Sequence, residues 1–217
     1  MAKNEHVSLS VIRRLPRYYR FLADLLRAGT TRISSRELSN KMGLTASQIR
    51  QDLNCFGGFG QQGYGYNVEQ LHKEIGNILG VDTGLGAILI GAGNLGRAIA
   101  THMSFETRGF NLIGVFDNSP SVIGQVIQGV QVKDVSSLDE FCRMHEPTVA
   151  ILCIPKNAAQ ELADHLIELG IKGFWNFSHY DISINSSDVV VENVHLGDSL
   201  MTLCYRVNEI LSEHVKS

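Results

Sequence analysis

The chain has 217 residues, 44% hydrophobic and 19% charged, enough for one large or two modest domains with real cores. Mean hydropathy is +0.01, no stretch approaches the roughly 18 unbroken apolar residues of a membrane span, and the start MAKNEHVSLSVIRR lacks the apolar segment of a signal peptide, so a membrane role is excluded and a cytoplasmic location is expected. The net charge of −3 divides unevenly, since residues 1–80 hold 11 Lys+Arg against 6 Asp+Glu while the remaining 137 hold 8 against 16; a polyanion partner is thereby suggested for the first part only.

Ile12, Leu15, Tyr19, Leu22, Leu25 and Leu26 fall at helical spacing and predict one amphipathic helix from about Ser10 to Ala28, disturbed at Pro16. Ser34-Ser35-Arg36-Glu37 is a capping box, and the short helix it opens should stop at Gly43. The turn Gly43-Leu44-Thr45 leads into Thr45-Ala46-Ser47-Gln48, read as a second capping box. Two short helices joined this way form a helix-turn-helix pattern.

In the second of these helices Ile49, Leu53 and Phe56 face the core, leaving Ser47, Gln48, Arg50, Gln51 and Asn54 outward. Amides can pair with adenine, and a guanidinium with guanine or phosphate. For an isolated helix a merely wet polar face is the plainer reading. Here, however, the Gly-rich run Gly57 to Tyr66 follows, with five glycines for a tight hairpin. Helix-turn-helix plus hairpin is a winged helix, and Gln61, Gln62 and Tyr64 of the wing join the expected DNA contacts. No Lys-Ser/Thr follows the run, which excludes a P-loop. A helix from Asn67 to about Leu79 closes this domain, residues 1–80.

A second domain, residues 81–195, begins with the apolar run Ala87-Ile88-Leu89-Ile90, suited to a buried parallel strand. It ends in Gly91-Ala92-Gly93-Asn94-Leu95-Gly96, a G-x-G-x-x-G between strand and helix. Such a loop sets a dinucleotide pyrophosphate on the helix N-terminus. The next strand, Leu112 to Phe116, ends in Asp117, 21 residues beyond Gly96, where a carboxylate can accept from a ribose 2′-hydroxyl and repels a 2′-phosphate. Helices near Leu138–Met144 and Ala158–Leu169, with strands Thr148–Ile154 and Gly173–Asn176, continue the alternation of a doubly wound α/β domain. NADH and NAD+ are the expected cofactors. They differ at the nicotinamide, so discrimination is expected from the loop at Pro155 and from the partner's last helix near His195 and Leu196.

Residues 196–217 carry an apolar stripe of Leu200, Leu203, Cys204, Val207, Ile210 and Leu211, widened by Met201 and Tyr205. Packing on the chain's own core is the plainer reading, and the width favours a helix exchanged between subunits. The four cysteines, Cys55, Cys142, Cys153 and Cys204, lie too far apart for a metal motif or disulfide framework, and are expected as buried thiols.

Gln48-Ile49-Arg50-Gln51-Asp52-Leu53, Phe56-Gly57 with the wing Phe59-Gly60 to Gly65-Tyr66, Gly91 to Gly96, and Gly170-Ile171-Lys172-Gly173 with Asn176-Phe177 resemble the Rex family of bacterial NADH-sensing repressors over nearly the whole chain. The resemblance implies a homodimer on an inverted-repeat operator, with winged helices, Rossmann domains and C-terminal helices swapped between subunits. It implies that the operator is bound when NADH is low and released when NADH binds, controlling fermentation and respiration genes. Gln51 and Gln62 stand where many relatives have Lys and Arg, which implies a difference in operator preference or affinity. Arg20 matches an arginine that couples cofactor to DNA binding in some members, while His102 and His195 stand at the positions of its tyrosine and aspartate partners.

Two other functions fit the sequence less well. A small NAD-dependent dehydrogenase needs a substrate domain and a positioned acid or base, yet few residues remain to build one, and Tyr180 is followed four places on by Ile184 rather than Lys. A thiol sensor at Cys55 needs a low-pKa thiolate, and Arg50, five residues earlier, is a poor helical neighbour for it. The expected protein is not an enzyme and holds no metal.

Overall fold

Pro16 decides how the first unit begins. Lacking an amide hydrogen, it fits only the first turn of a helix, so the single helix expected from periodicity is two: α1 (Leu9–Ile12) and α2 (Leu15–Arg27). In this computed structural model residues 7–57, 60–61, 65–184 and 187–214 are described, and the chain divides into two compact units, residues 1–82 and 83–217.

In the first unit β1 (Arg32–Ile33) leads to α3 (Ser35–Met42). Both bonds of the capping box are made: the Glu37 amide donates to Ser34 Oγ at 3.1 Å, and the Ser34 amide to Glu37 Oε2 at 2.8 Å. Such a cap is worth about 1 kcal/mol. Left-handed Gly43 ends the helix, and α4 (Ala46–Asn54) follows. Thr45 Oγ1 accepts from the Gln48 amide, but the second expected box is only half formed, because the Gln48 side chain reaches Asp52 instead. β2 (Gly60–Gln61) and β3 (Gly65–Asn67) pair antiparallel as the wing, with β1 on the other side of β3. α5 (Val68–Leu79), capped by Asn67, completes the unit. Leu15, Leu22, Leu38, Ile49, Leu53, Leu71 and Ile75 form one core.

The second unit holds β4 (Leu85–Ile90), α6 (Asn94–His102), β5 (Phe110–Asp117), β6 (Val126–Ile127), β7 (Val130–Asp134), α7 (Leu138–His145), β8 (Val149–Leu152), α8 (Ala159–Glu168), β9 (Gly173–Asn176), β10 (Val190–Asn193) and α9 (Leu196–His214). The sheet order is β10-β9-β8-β4-β5-β7-β6, parallel except for β6. From β7 to β10 this is the 3-2-1-4-5-6 order of a Rossmann fold. Central β4 shows why its sequence is uninterrupted in apolar character: Ala87 and Leu89 pack with Ile99 and Ala100 of α6, while Ile88 and Ile90 pack with Phe141 of α7 and Ala163 of α8. A winged helix-turn-helix therefore precedes a Rossmann domain.

Two further observations depart from expectation, the strands β6, β7 and β10 and the state of the cysteines, and a third concerns α9. The β6–β7 hairpin and β10 were not anticipated. The exposed residues of α9 include Leu196, Leu200, Met201, Leu203, Tyr205, Val207, Ile210 and Leu211, so its stripe does not pack on the chain's own core. Cys142 alone of the four cysteines is buried; Cys153 is half-buried, and Cys55 and Cys204 are exposed. Cys55 caps α4 beyond its core-facing turn, and Cys204 sits on the uncovered α9.

Candidate functional site

Ser47, Arg50, Gln51 and Asn54 all stand exposed on α4, lining one shallow open surface with Cys55. Arg50 Nη1 donates to Ser35 Oγ at 3.1 Å, which holds the guanidinium over the start of α3. Gln48 departs from the expected set. It is half-buried, and its Nε2 donates to Asp52 Oδ1 at 2.8 Å, one helical turn on. Gln61 lies in β2, where its backbone pairs with Gly65, and Gln62 and Tyr64 lie outside the described residues.

Asp52 is the residue that sequence reading missed. Although charged, it is fully buried, beside Leu53 on the core-facing side of α4. Arg14 donates to both its oxygens, Nε to Oδ2 and Nη2 to Oδ1, each at 2.7 Å, and Tyr18 Oη donates to Oδ2 at 2.9 Å. With Gln48 the carboxylate has four donors, which matches its acceptor capacity. Burial pushes the Asp52 carboxyl up, but the bonds from Arg14, Gln48 and Tyr18 outweigh it and hold the carboxyl below its ordinary range. Burial first, and the bond to Asp52 second, push the Tyr18 phenol well above its ordinary value. Removing one partner of such a pair strands a buried charge, at a cost of about 3–5 kcal/mol. The signal available in sequence was an acid three residues after core Ile49, at a position a wet face would not use.

In the second unit the strand order reverses direction between β4 and β8, and ligands of such sheets bind beyond the carboxyl ends of the strands there. A crevice of about 540 Å³ opens at that place. Gly91, Gly93, Asp117 and Pro155 of the expected set line it, joined by Asn118, Val135, Ile154 and Leu162. Gly91 has φ +97°, and a Cβ on it would lie 2.3 Å from the Cys153 carbonyl oxygen. On Gly96 a Cβ would lie 1.8 Å from the Gly91 carbonyl oxygen, so this glycine seats the helix on the loop. Gly93 faces open space. Asn94 and Leu95 are exposed in the first turn of α6, where amides have no carbonyl behind them. Ala92 differs from its neighbours: it is buried, and its amide donates to Asp117 Oδ2 at 2.6 Å. Asp117 Oδ1 accepts from the Ser119 amide at 2.8 Å. Two of the roughly four lone-pair directions of the carboxylate are thus taken, and a ribose can use the others. Burial pushes the Cys153 thiol up to about 12, which makes it an inert wall.

Arg20 is exposed on α2 of the first unit, and His102 is exposed at the end of α6 in the second. His195, between β10 and α9, bonds Asp181 at 2.7 Å, and this bond raises its pKa above the ordinary histidine value. The described residues contain no cluster of His, Cys, Asp and Glu fit for a metal and no helix long and apolar enough to cross a membrane.

Comparison with known proteins agrees with this division. The model of the family "Putative DNA-binding protein N-terminus" matches residues 6–54, and that of the "CoA binding domain" matches residues 82–180. A redox-sensing transcriptional repressor Rex of Thermoanaerobacter pseudethanolicus is 56% identical over 96% of this chain and 93% of its own length. That of Clostridioides difficile is 53% identical over 96% and 99%. Crystal structures of RSP, a Rex-family repressor, superpose with a TM-score of 0.88: the complex with beta-NAD+ and operator DNA at 56% identity over 97% of both chains, and the complex with beta-NADH at 52% over 97% and 99%. The chain belongs to the Rex family of redox-sensing transcriptional repressors.

Proposed function

We propose that this chain binds operator DNA through the exposed face of α4 and the wing, binds NADH or NAD+ in the crevice at β4 and β8, and releases DNA when NADH is bound. The observation that carries this reading is the pairing, in one chain, of an outward polar face on a helix-turn-helix with a Rossmann crevice whose glycines leave room for a pyrophosphate. RSP, so similar over its whole length, has been crystallised with each of these partners.

Ser47, Arg50, Gln51 and Asn54 are the proposed readers of the major groove, with Gln61, Gln62 and Tyr64 on the wing. Gln48, drawn inward by its bond to Asp52, is left out of this reading set. In the crevice Gly93, Asn94 and Leu95 meet the pyrophosphate, Asp117 the ribose, and Pro155 the region of the nicotinamide, with Gly91, Ala92 and Gly96 shaping the loop. Arg20, His102 and His195 are the proposed coupling residues. The exposed stripe of α9 is covered by a second copy of the chain, the helix being exchanged, since each large apolar side chain removed from water contributes about 1.5–3 kcal/mol. The two winged helices then meet an inverted repeat. A cytoplasmic location, with fermentation and respiration genes as targets, fits this role.

Operator occupancy at fixed total cofactor and varied NADH to NAD+ ratio tests the sensor: occupancy should fall as the ratio rises, and indifference to the ratio overturns the reading. A chain ending at residue 195 should sediment as a monomer and lose operator affinity; a truncated dimer would remove the exchanged helix.

A further inference from the structure

The core side of α4 is narrow, with Ile49 and Leu53 its fully buried apolar anchors. Apolar contact is non-directional, so two anchors four residues apart leave the roll of the helix about its axis weakly specified. Directional bonds supply what they lack. Asp52 lies between the anchors and is gripped by Arg14 and Tyr18, both from outside α4, through three hydrogen bonds of 2.7–2.9 Å. The same carboxylate takes the amide of Gln48, a side chain that otherwise belongs with the exposed readers. A bidentate arginine on a buried, fully satisfied carboxylate has one good geometry.

We propose that Asp52 is the positioning residue for operator specificity: it sets the roll of α4 against α2 and withdraws Gln48 from the bases, so that Arg50 and Gln51 do the reading. In some proteins a buried ionic group selects one arrangement among several. Specificity depends on aim, whereas attraction to phosphate depends on charge. A rolled α4 therefore loses the first and keeps the second.

The inference rests on the DNA-reading role of α4, and its test uses the full chain. Two probes serve: a duplex selected by the wild-type protein from a randomised library, and a shuffled duplex of the same composition. Asp52→Asn is expected to lower the affinity ratio of selected over shuffled duplex by about tenfold or more, equivalent to one or two misread base pairs. Affinity for the shuffled duplex should stay within about twofold, because the phosphate contacts remain. A purely structural role lowers both together, and either that result or an unchanged ratio overturns the proposal. If Asp52→Asn does not fold, Tyr18→Phe, which deletes one donor and leaves the ring, is judged by the same ratio: a fall supports the proposal and no change overturns it. Gln48→Ala should select the same bases at every position; loss of preference at any base pair would make Gln48 a reader and overturn the proposal. A wild-type chain that selects no duplex removes the DNA-reading role itself, an outcome distinct from wild-type selection with an unaltered variant ratio.

Discussion

Asp52 and Asp117 are carboxylates with opposite kinds of partner. Asp52 is bound by side chains alone, from Arg14, Tyr18 and Gln48, whereas the bonds made to Asp117 come from the backbone amides of Ala92 and Ser119. The difference extends to the surface each supports. On α4 the proposed binding face consists of polar side chains, so single substitutions can retune it. In the crevice the proposed cradle is backbone, shaped by what glycine lacks, with Asp117 as the side chain assigned to the ribose.

The contrast can be broken most directly at Gly96. Gly96→Ala forces a Cβ against the Gly91 carbonyl, which should destabilise the second unit by about 3 kcal/mol and abolish NADH binding, as read by chemical denaturation and nucleotide titration. Gly93→Ala, facing open space, should keep stability within about 0.5 kcal/mol while weakening NADH; equal behaviour of the two variants would show that the glycines share one role. Asp117→Ala comes next. It should cost about 1.5–3 kcal/mol of NADH affinity, the worth of a hydrogen bond to a charged group, and narrow the preference over NADPH. Equal binding of the two cofactors by the unaltered protein would contradict the ribose assignment. Arg50→Ala should cost about 1–3 kcal/mol of operator affinity if it reads a base, with NADH binding untouched; unchanged operator affinity would take α4 out of the reading role.

The smallest expected effect is a dependence on pH. His195 has a folded pKa raised above 6.5 by Asp181, so the pair stabilises the protein fully below pH 6.5 and its contribution is lost as pH rises through the raised value. Stability of the second unit should fall across that window relative to His195→Gln, and parallel pH curves for the two proteins would show the pair to be inert.

What could be read from the chain beforehand was whatever is encoded by neighbours in sequence. Ser34 and Glu37 announce a cap because the bonds span three residues, and Gly91 to Gly96 announce a loop because strand, turn and helix are contiguous. β4 was legible because burial on both faces leaves no polar position. The hairpin of β6 and β7 was not, being two and five residues long; its signal was Gln128-Gly129, whose φ values of +50° and +79° suit a two-residue turn between apolar runs. Asp52 was missed for another reason. Its place three residues after Ile49 marks it as core-facing, but its strongest partner, Arg14, is 38 residues away, so no local pattern names what satisfies it there. The bond that draws Gln48 inward went unseen for the same reason.

The uncovered α9 bears on how much of the protein a cell can usefully keep. Exposed apolar helix is what chaperones and proteases bind, and subunit pairing that shelters it follows mass action. If the helix is sheltered only in the pair, abundance controls operator occupancy and lifetime together. Dilution by growth would then raise the share of unsheltered subunits, and a repressor built this way would leave its operators faster than dilution alone predicts.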